Sequence, residues 1–428
     1  MAMNLVKPTQ FLTKKSIKVI DSIMGSGKSS WAIQHMNNAP ARQKFIYITP
    51  FTDEVDRIIT SCDKREFVQP VNDEGTKLED IKRLIAEGAD IASTHALFQR
   101  VDAELLELLE IENYTLILDE VMNVISPLSE YTKSDLKLLY SEGIITVDDG
   151  GFVHWNSPDY DSDGYFTKIR NLANSGNLMM YEDEDGQPVV LYWTFPAESF
   201  HCFDDIYLLT YLFDGQIQRA YFDLFKVNYI YHSVAKIDGV YQLTEYKQGH
   251  NKQLSHIRNN ITIYTPAPAD KNDMNKVGSK RNDFSVGNLK TRKNQTAVLK
   301  VIKNHAYNFY RNKCKTTAED VMWTTFKEAK DILQPVGLSD SFVAVNSRAT
   351  NQYQDKSVCI YLANRFMNPV TKNFFSKHGV QVDEDTFALS ELLQWLFRSR
   401  IRHGQPISVY IPSKRMRDLL TDYLEGGV

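Results

Sequence analysis

The chain has 428 residues, 43% of them apolar and 24% charged, with a net charge of −5 at pH 7. This length leaves room for two or three domains with substantial cores, and with this composition it excludes a small stapled module and a mainly disordered or fibrous chain. Cys62, Cys202, Cys314 and Cys359 stand far apart without CxxC spacing, which argues against a zinc site or a disulfide framework and fits a reducing cytoplasm; no apolar run approaches a membrane span, so no membrane partner is expected.

The charge is unevenly divided. Residues 1–250 carry 22 Lys+Arg against 38 Asp+Glu, a balance of −16, whereas residues 251–428 carry 27 against 16, a balance of +11. A basic second half suggests a polyanionic partner.

Along the chain, short apolar runs of strand length alternate with longer amphipathic stretches: Ile17–Ile20, Phe45–Ile48, Ile91–Ala92, Leu116–Leu118 and Ile206–Leu209. This alternation predicts a mostly parallel sheet with helices on both faces. Acidic, Gly-rich and aromatic sequence over 145–200 interrupts the series. The tract Glu182–Gly186 between two apolar runs predicts a hairpin turn, hence a small β-rich insertion. A second series follows at Ile261–Tyr264, Val321–Trp323, Phe342–Val345, Val358–Leu362 and Ile407–Ile411, after a proline-bearing segment at Thr265–Asp270. The expectation is an α/β chain of two tandem domains with the boundary near residue 255: 1–255, carrying the insertion, and 256–428. Lys271–Lys293 is a local basic concentration, with seven Lys/Arg against two Asp.

The chemistry begins at Ser22-Ile-Met-Gly25-Ser26-Gly27-Lys28-Ser29-Ser30, between the strand Ser16–Asp21 and a helix expected from near Ser29. A phosphate chain needs backbone N–H groups presented together, glycines for close approach, a lysine for the β/γ-phosphates and a hydroxyl for Mg²⁺, and each is present. Ser22 stands where the strict GxxxxGK[ST] pattern has its first glycine, and Lys28 is expected in an exposed loop. About ninety residues on, Leu116-Ile-Leu-Asp119-Glu120-Val-Met122 is an apolar strand ending in two carboxylates. Asp119 is placed to hold Mg²⁺ opposite Ser29, and Glu120 to orient and deprotonate an attacking water. Downstream, Leu389, Leu392, Leu393, Leu396 and Phe397 share one helical face, Gln394, Arg398 and Arg402 fall at i, i+4 and i+8 on another, and Gly404 is the expected C-cap.

Together these motifs resemble superfamily 2 DEAD/DEAH-type helicases. Ile48-Thr49-Pro50-Phe51 resembles their motif Ia, Ser93-Thr94-His95 the Ser/Thr segment that touches the nucleic-acid backbone, and Leu209–Phe213 stands in the place of motif III. Ser347-Arg348-Ala-Thr350-Asn351 occupies the position of motif V, and Gln394 with its arginines that of motif VI. The wording around residues 348–355, 361–369 and 398–420 is similar to replication helicases of tailed bacteriophages. The resemblance implies two RecA-like domains closing on ATP and Mg²⁺, with Gln394, Arg398 and Arg402 reaching the site; which of Arg398, Arg400 and Arg402 meets the γ-phosphate stays open. It implies a DNA partner, single-stranded or forked, held by Thr49, Pro50, Ser93, Thr94, His95, Arg348, Thr350 and Asn351, with Lys290, Arg292 and Lys293 of the basic segment added, and other replication proteins nearby. The competing readings are a P-loop ATPase of another class, such as a terminase-like packaging motor or a helicase-loading, partner-remodelling ATPase, and a degenerate helicase fold used as a scaffold.

Overall fold

Apolar runs become strands here because each is covered on both faces, and β5 is the clearest case. Its six residues, Tyr114–Asp119, are all buried in the computed structural model, which describes residues 16–72, 75–160, 163–246, 257–267, 272–345 and 351–426. In chain order the strands are β1 (Ile17–Asp21), β2 (Lys44–Thr49), β3 (Phe67–Val68), β4 (Asp90–Thr94), β5, β6 (Ile125–Pro127), β7 (Ile145–Val147), β8 (Val153–Trp155), β9 (Leu178–Glu182), β10 (Pro188–Thr194), β11 (Asp205–Thr210), β12 (Tyr229–Ile237) and β13 (Val240–Glu245). Eight of them form one sheet in the order β13-β12-β1-β11-β5-β2-β4-β3, parallel throughout except for the β12–β13 hairpin. Asp21, Thr49, Thr94, Asp119 and Thr210 therefore end neighbouring strands along one edge, where open α/β sheets bind ligands.

A second parallel sheet, β14 (Ile261–Ile263), β15 (Val321–Thr324), β16 (Val358–Tyr361) and β17 (Ile407–Tyr410), runs in the order β14-β17-β16-β15. One of its faces packs on the helices Glu384–Leu396 and Lys414–Glu425, the other on the helix Thr296–Asn308. The α/β class with two parallel sheets is as expected. The boundary expected near residue 255 falls among residues 247–256, outside the described residues.

Two elements differ from expectation. The insertion is β-rich, as expected, but it begins before residue 145 and is larger than 145–200. It opens at β6, pairs β6-β10-β9 as an antiparallel sheet, carries the β7–β8 hairpin, and contains the helices Lys133–Ser141 and Thr167–Asn174. Thr132 and Asp135 start the first of these helices with a reciprocal capping box. The turn at 183–187 does close β9 onto β10, with the Asp183 carboxylate accepting from Asp185 and Gln187 N–H. The other difference is Phe342–Val345, which makes a single bridge to Trp323 instead of a strand. Two carbonyls that a ladder would use are taken by side chains: Trp395 Nε1 donates to Val343 O at 3.1 Å and Arg398 Nη1 to Ala344 O at 3.4 Å.

The halves are packed together. Ile23 and Tyr211 lie in the same apolar cluster as Leu389 and Leu393. A Cβ on Gly215 would come within 2.5 Å of the Thr386–Phe387 backbone, so a glycine is required where that turn meets the helix. The helix Pro369–Lys377 buries Phe374 and Phe375 in the core of the first sheet, with the Phe374 ring 4.6 Å from Tyr192 and Tyr192 Oη 3.1 Å from Thr371 Oγ1. Phe374→Ala should therefore destabilise the whole chain by ~3–5 kcal/mol, read as a lowered denaturation midpoint in urea.

Candidate nucleotide site

Gly27 adopts φ +97°, a left-handed conformation that favours glycine, and the helix Lys28–Asn38 starts immediately after it. The turn brings Lys28 back over its own loop: Nζ donates to Ser22 O at 2.5 Å and Ile23 O at 3.3 Å. Lys28 is 8% exposed, not in an exposed loop as expected, because these carbonyls and three carboxylates hold the ammonium inward. Ser22 replaces the first glycine for a legible reason. Its hydroxyl accepts Val234 N–H at 3.0 Å and ties the loop to β12. Ser26 is buried with its Oγ unpartnered, Ser29 and Ser30 sit half-buried on the first helical turn, and Gly25 is exposed. The first-turn N–H groups have no partner within a helix. Such a loop fits a phosphate chain.

The β5 end supplies the acids. Asp119 is buried and accepts from Tyr47 Oη at 2.8 Å; burial and the neighbouring Glu120 push its carboxyl up to about 7. Glu120 turns left-handed at φ +67° while its N–H still bonds Leu209 O at 2.9 Å, which breaks the strand's alternation. Burial lowers the pKa of Lys28, and Glu120, Asp21 and Asp119, in that order, counter it. His95, expected at the nucleic acid, is buried with Nε2 3.1 Å from Asp119 O and braces this strand end instead.

From the second half, Arg402 reaches the same loop. Its carbonyl oxygen lies 3.7 Å from where a Gly25 Cβ would be, and its charge is felt at Lys28. The continuous helix expected through Gly404 is not formed. It ends at Leu396, Ser399 is extended, and a 3-10 turn, Arg400–His403, follows with Gly404 left-handed after it, so Gln394, Arg398 and Arg402 do not share one helical face. The break has a cause in the serine, whose Oγ donates to Leu396 O and terminates the helix. Gln394 stays half-buried on the helix, Arg398 is buried against Ala344 O, and Arg400 donates from Nε to Pro406 O at 2.5 Å.

The middle and C-terminal parts of the chain match two described families: the YonV middle domain over residues 126–193 and the YonV C-terminal Rossmann-like domain over 250–424. The SPbeta prophage-derived uncharacterized protein YonV of Bacillus subtilis (strain 168) is 39% identical over 421 residues, which span 96% of this chain and 99% of that protein. The chain belongs to the YonV family. Among solved structures, S. tokodaii Xpd4 is similar at 11% identity over 95% of this chain and 94% of that one, with a TM-score of 0.47. Dbp5 of S. cerevisiae bound to RNA and ADP BeF3 is similar at 12% identity over 97% and 85%, with a TM-score of 0.34.

Several residues around the glycine-bearing loop carry no sequence signal. Asp21, next to the loop, accepts the N–H groups of Leu212 and Phe213 at 2.9 and 3.0 Å and so shapes the turn after β11. Gln218 Oε1 accepts Met122 N–H at 2.8 Å and fixes the chain beyond Glu120. Tyr241 of β13 covers Gly27: a Cβ there would lie 2.1 Å from the ring. Its backbone N–H and C=O both bond the Gln34 side chain, at 3.0 and 2.8 Å.

The expected nucleic-acid residues are divided. Thr49 and Ser93 are buried and the Thr49 hydroxyl has no partner, so neither side chain faces solvent; Pro50 and Thr94 are partly exposed at the same edge. Thr49 shares a sheet face with Tyr47, two residues earlier, and hence with Asp119. Lys290 and Lys293 are exposed, whereas Arg292 is committed to Asp283 at 2.7 Å and Val277 O at 3.2 Å. Arg348 and Thr350 lie outside the described residues, and Asn351 opens a 3-10 turn.

Gly27→Ala should cost ~1–2 kcal/mol from backbone strain alone, displace Tyr241, and abolish binding in a fluorescent-nucleotide titration. Asp21 generates a pH prediction. Burial raises its carboxyl from 3.8 to about 6, so its contribution is fully present below pH 4 and is lost as pH rises through 6. That amounts to a loss on the order of 3 kcal/mol. Melting curves from pH 4 to 7 should show Asp21→Asn flattening this decline, while at pH 4 the variant is the less stable because its amide opposes one of the two N–H donors.

Proposed function

We propose that this protein is a nucleic-acid-dependent ATPase of helicase type that hydrolyses ATP between its two halves. One observation carries the reading: Lys28, Asp119 and Glu120 of the first sheet and Arg402 from the second half converge on one glycine-bearing loop. Phosphoryl transfer leaves little covalent chemistry to the protein and depends on positioning and charge. Lys28 exchanges its loop carbonyls for the β- and γ-phosphates, and the first-turn N–H groups of the helix Lys28–Asn38 hold the chain in line. Ser29 and Asp119 are the residues that would hold Mg²⁺, which neutralises developing phosphate charge when bound. Glu120 takes the proton of the attacking water, and Arg402 stabilises the charge on the γ-phosphoryl group in the transition state.

The polymer is DNA, single-stranded or forked, and the setting is phage replication or recombination in the host cytoplasm, beside other replication proteins. The resemblance to phage replication helicases and the prophage origin of the B. subtilis relative support this finer reading. Pro50 and Thr94 are placed to meet the backbone at the strand ends. A packaging motor or a partner-loading ATPase would use the same loop, and the polymer dependence of turnover separates them from a helicase.

Phosphate release is measured with single-stranded DNA, with RNA and without polymer; stimulation by DNA above both supports the reading, and no turnover under any condition overturns it. Glu120→Gln should retain ATP affinity while turnover falls, since the amide keeps its size but cannot take the proton. Arg402→Ala should lower kcat by ~10³-fold with little change in nucleotide affinity. Wild-type turnover in the Arg402 variant would remove the cross-domain part of the mechanism.

A further inference from the structure

Residues 286–315 contain eight Lys/Arg and no Asp or Glu, a longer basic run than the 271–293 segment that stands out in the sequence. They form three consecutive elements: the helix Val286–Arg292, the helix Thr296–Asn308 and the turn Phe309–Lys313. Leu299, Ile302 and Ala306 bury one side of the longer helix in the second sheet's core. The opposite side is set by helical spacing. Lys300, Asn304 and Tyr307 follow at i, i+4 and i+7, and Arg311 stands in the π-helical turn just beyond, all exposed, with Lys303 half-exposed beside them. Eleven residues of helix span about 16 Å, the axial length of about five nucleotides along one strand of a duplex.

Most of these cations have no counter-charge among the described residues. Arg292 is neutralised by Asp283, but among the described residues no acidic side chain pairs with Lys293, Lys300, Lys303, Arg311, Lys313 or Lys315. Holding several like charges on one surface without acids between them is unfavourable for the isolated chain and favourable for a polyanion. Tyr307, 39% exposed, adds a ring amid the lysines. The location is the unexpected part. Val321, Trp323, Val358 and Ile360 point to this helix, whereas Met322, Cys359 and Tyr361 point to the opposite face, whose core includes Ile23 of the phosphate loop. The basic surface is thus on the far side of the second sheet from the nucleotide cleft.

We propose that this outer face is a second nucleic-acid docking surface, which grips the phosphate backbone of a duplex independently of nucleotide and of sequence. It goes beyond the ATPase reading and needs no ATP. Its positive charges anchor the enzyme, while any strand engaged at the cleft is held elsewhere. Sequence tolerance follows because phosphate contacts carry no base information.

The test is a salt titration of binding, without nucleotide, to a labelled duplex of about 40 base pairs and to a single strand of about ten nucleotides. The wild type is compared with the triple variant Lys300→Glu, Lys303→Glu, Lys313→Glu, all on surface positions outside the core. The variant should bind the duplex roughly tenfold or more weakly at about 0.1 M salt, with a slope of log K against log salt shallower by about 0.9 for each phosphate that the protein no longer neutralises. Its binding of the short strand and its ATP turnover without polymer should match wild type. An unchanged duplex affinity and slope would overturn the proposal. So would a wild type that sediments as a dimer and a variant that sediments as a monomer with duplex binding intact, since the surface would then belong to a second copy. A wild type that binds duplex but hydrolyses no ATP would remove the ATPase reading and leave this one standing.

Discussion

Everything around the cleft is arranged about one buried ammonium. Lys28 has lost most of its water, and a desolvated cation in the interior is tolerated only if oppositely charged and dipolar groups replace that hydration. The loop supplies two carbonyls, and the ends of β1 and β5 supply the carboxylates of Asp21, Asp119 and Glu120. Two neighbouring oddities sit where those requirements are met: a left-handed Glu120 that leaves the strand's alternation, and an aspartate whose oxygens also organise the turn after β11. The balance is uneasy, since Asp119 and Asp21 are both pushed towards the neutral form by burial. A polyphosphate and a divalent cation would relieve both sides of it, because each brings the charge the other group lacks.

The parts legible in the sequence were those with short-range signatures. Strands in a parallel sheet are apolar runs covered on both faces, so β1, β2, β5, β11, β15, β16 and β17 could be read within a residue or two. The glycines, lysine and acids of the candidate site could be picked out from residue type and spacing, and the fold brings Lys28, Asp119 and Glu120 together. What failed depended on partners distant in sequence. Phe342–Val345 has strand composition, but Trp395 and Arg398, some fifty residues later, claim its carbonyls. The break after Leu396 is the local exception: periodicity and the glycine at 404 suggest a helix through Arg398 and Arg402, but it ends where the Ser399 hydroxyl bonds Leu396 O. Tyr241 over Gly27 had no signal, since only the folded hairpin shows that the space beside the glycine is filled.

The two sheets are joined less like separate lobes than their sequence series suggest. A loop isoleucine contributes to the second half's core, and the turn after β11 touches the first residues of the helix that leads to Arg402. The shape of the glycine-bearing loop, the position of that turn and the approach of the arginine are therefore not independent variables. Asp21 lies between them, bonded to the turn and one residue from the loop.

The helix Pro369–Lys377 belongs to the second half by sequence and to the first by packing, with two phenylalanines sunk in the first core and Arg219 donating to Gln381 O just beyond it. It acts as a moored float: the sheets cannot part by simple translation without unseating those rings. Residues 363–368, which lead into it, are pinned to the second half at their start, Asn364 N–H bonding Phe284 O and the Asn364 side chain Arg281 O and Asp283 O, so the helix clamps one half onto the other.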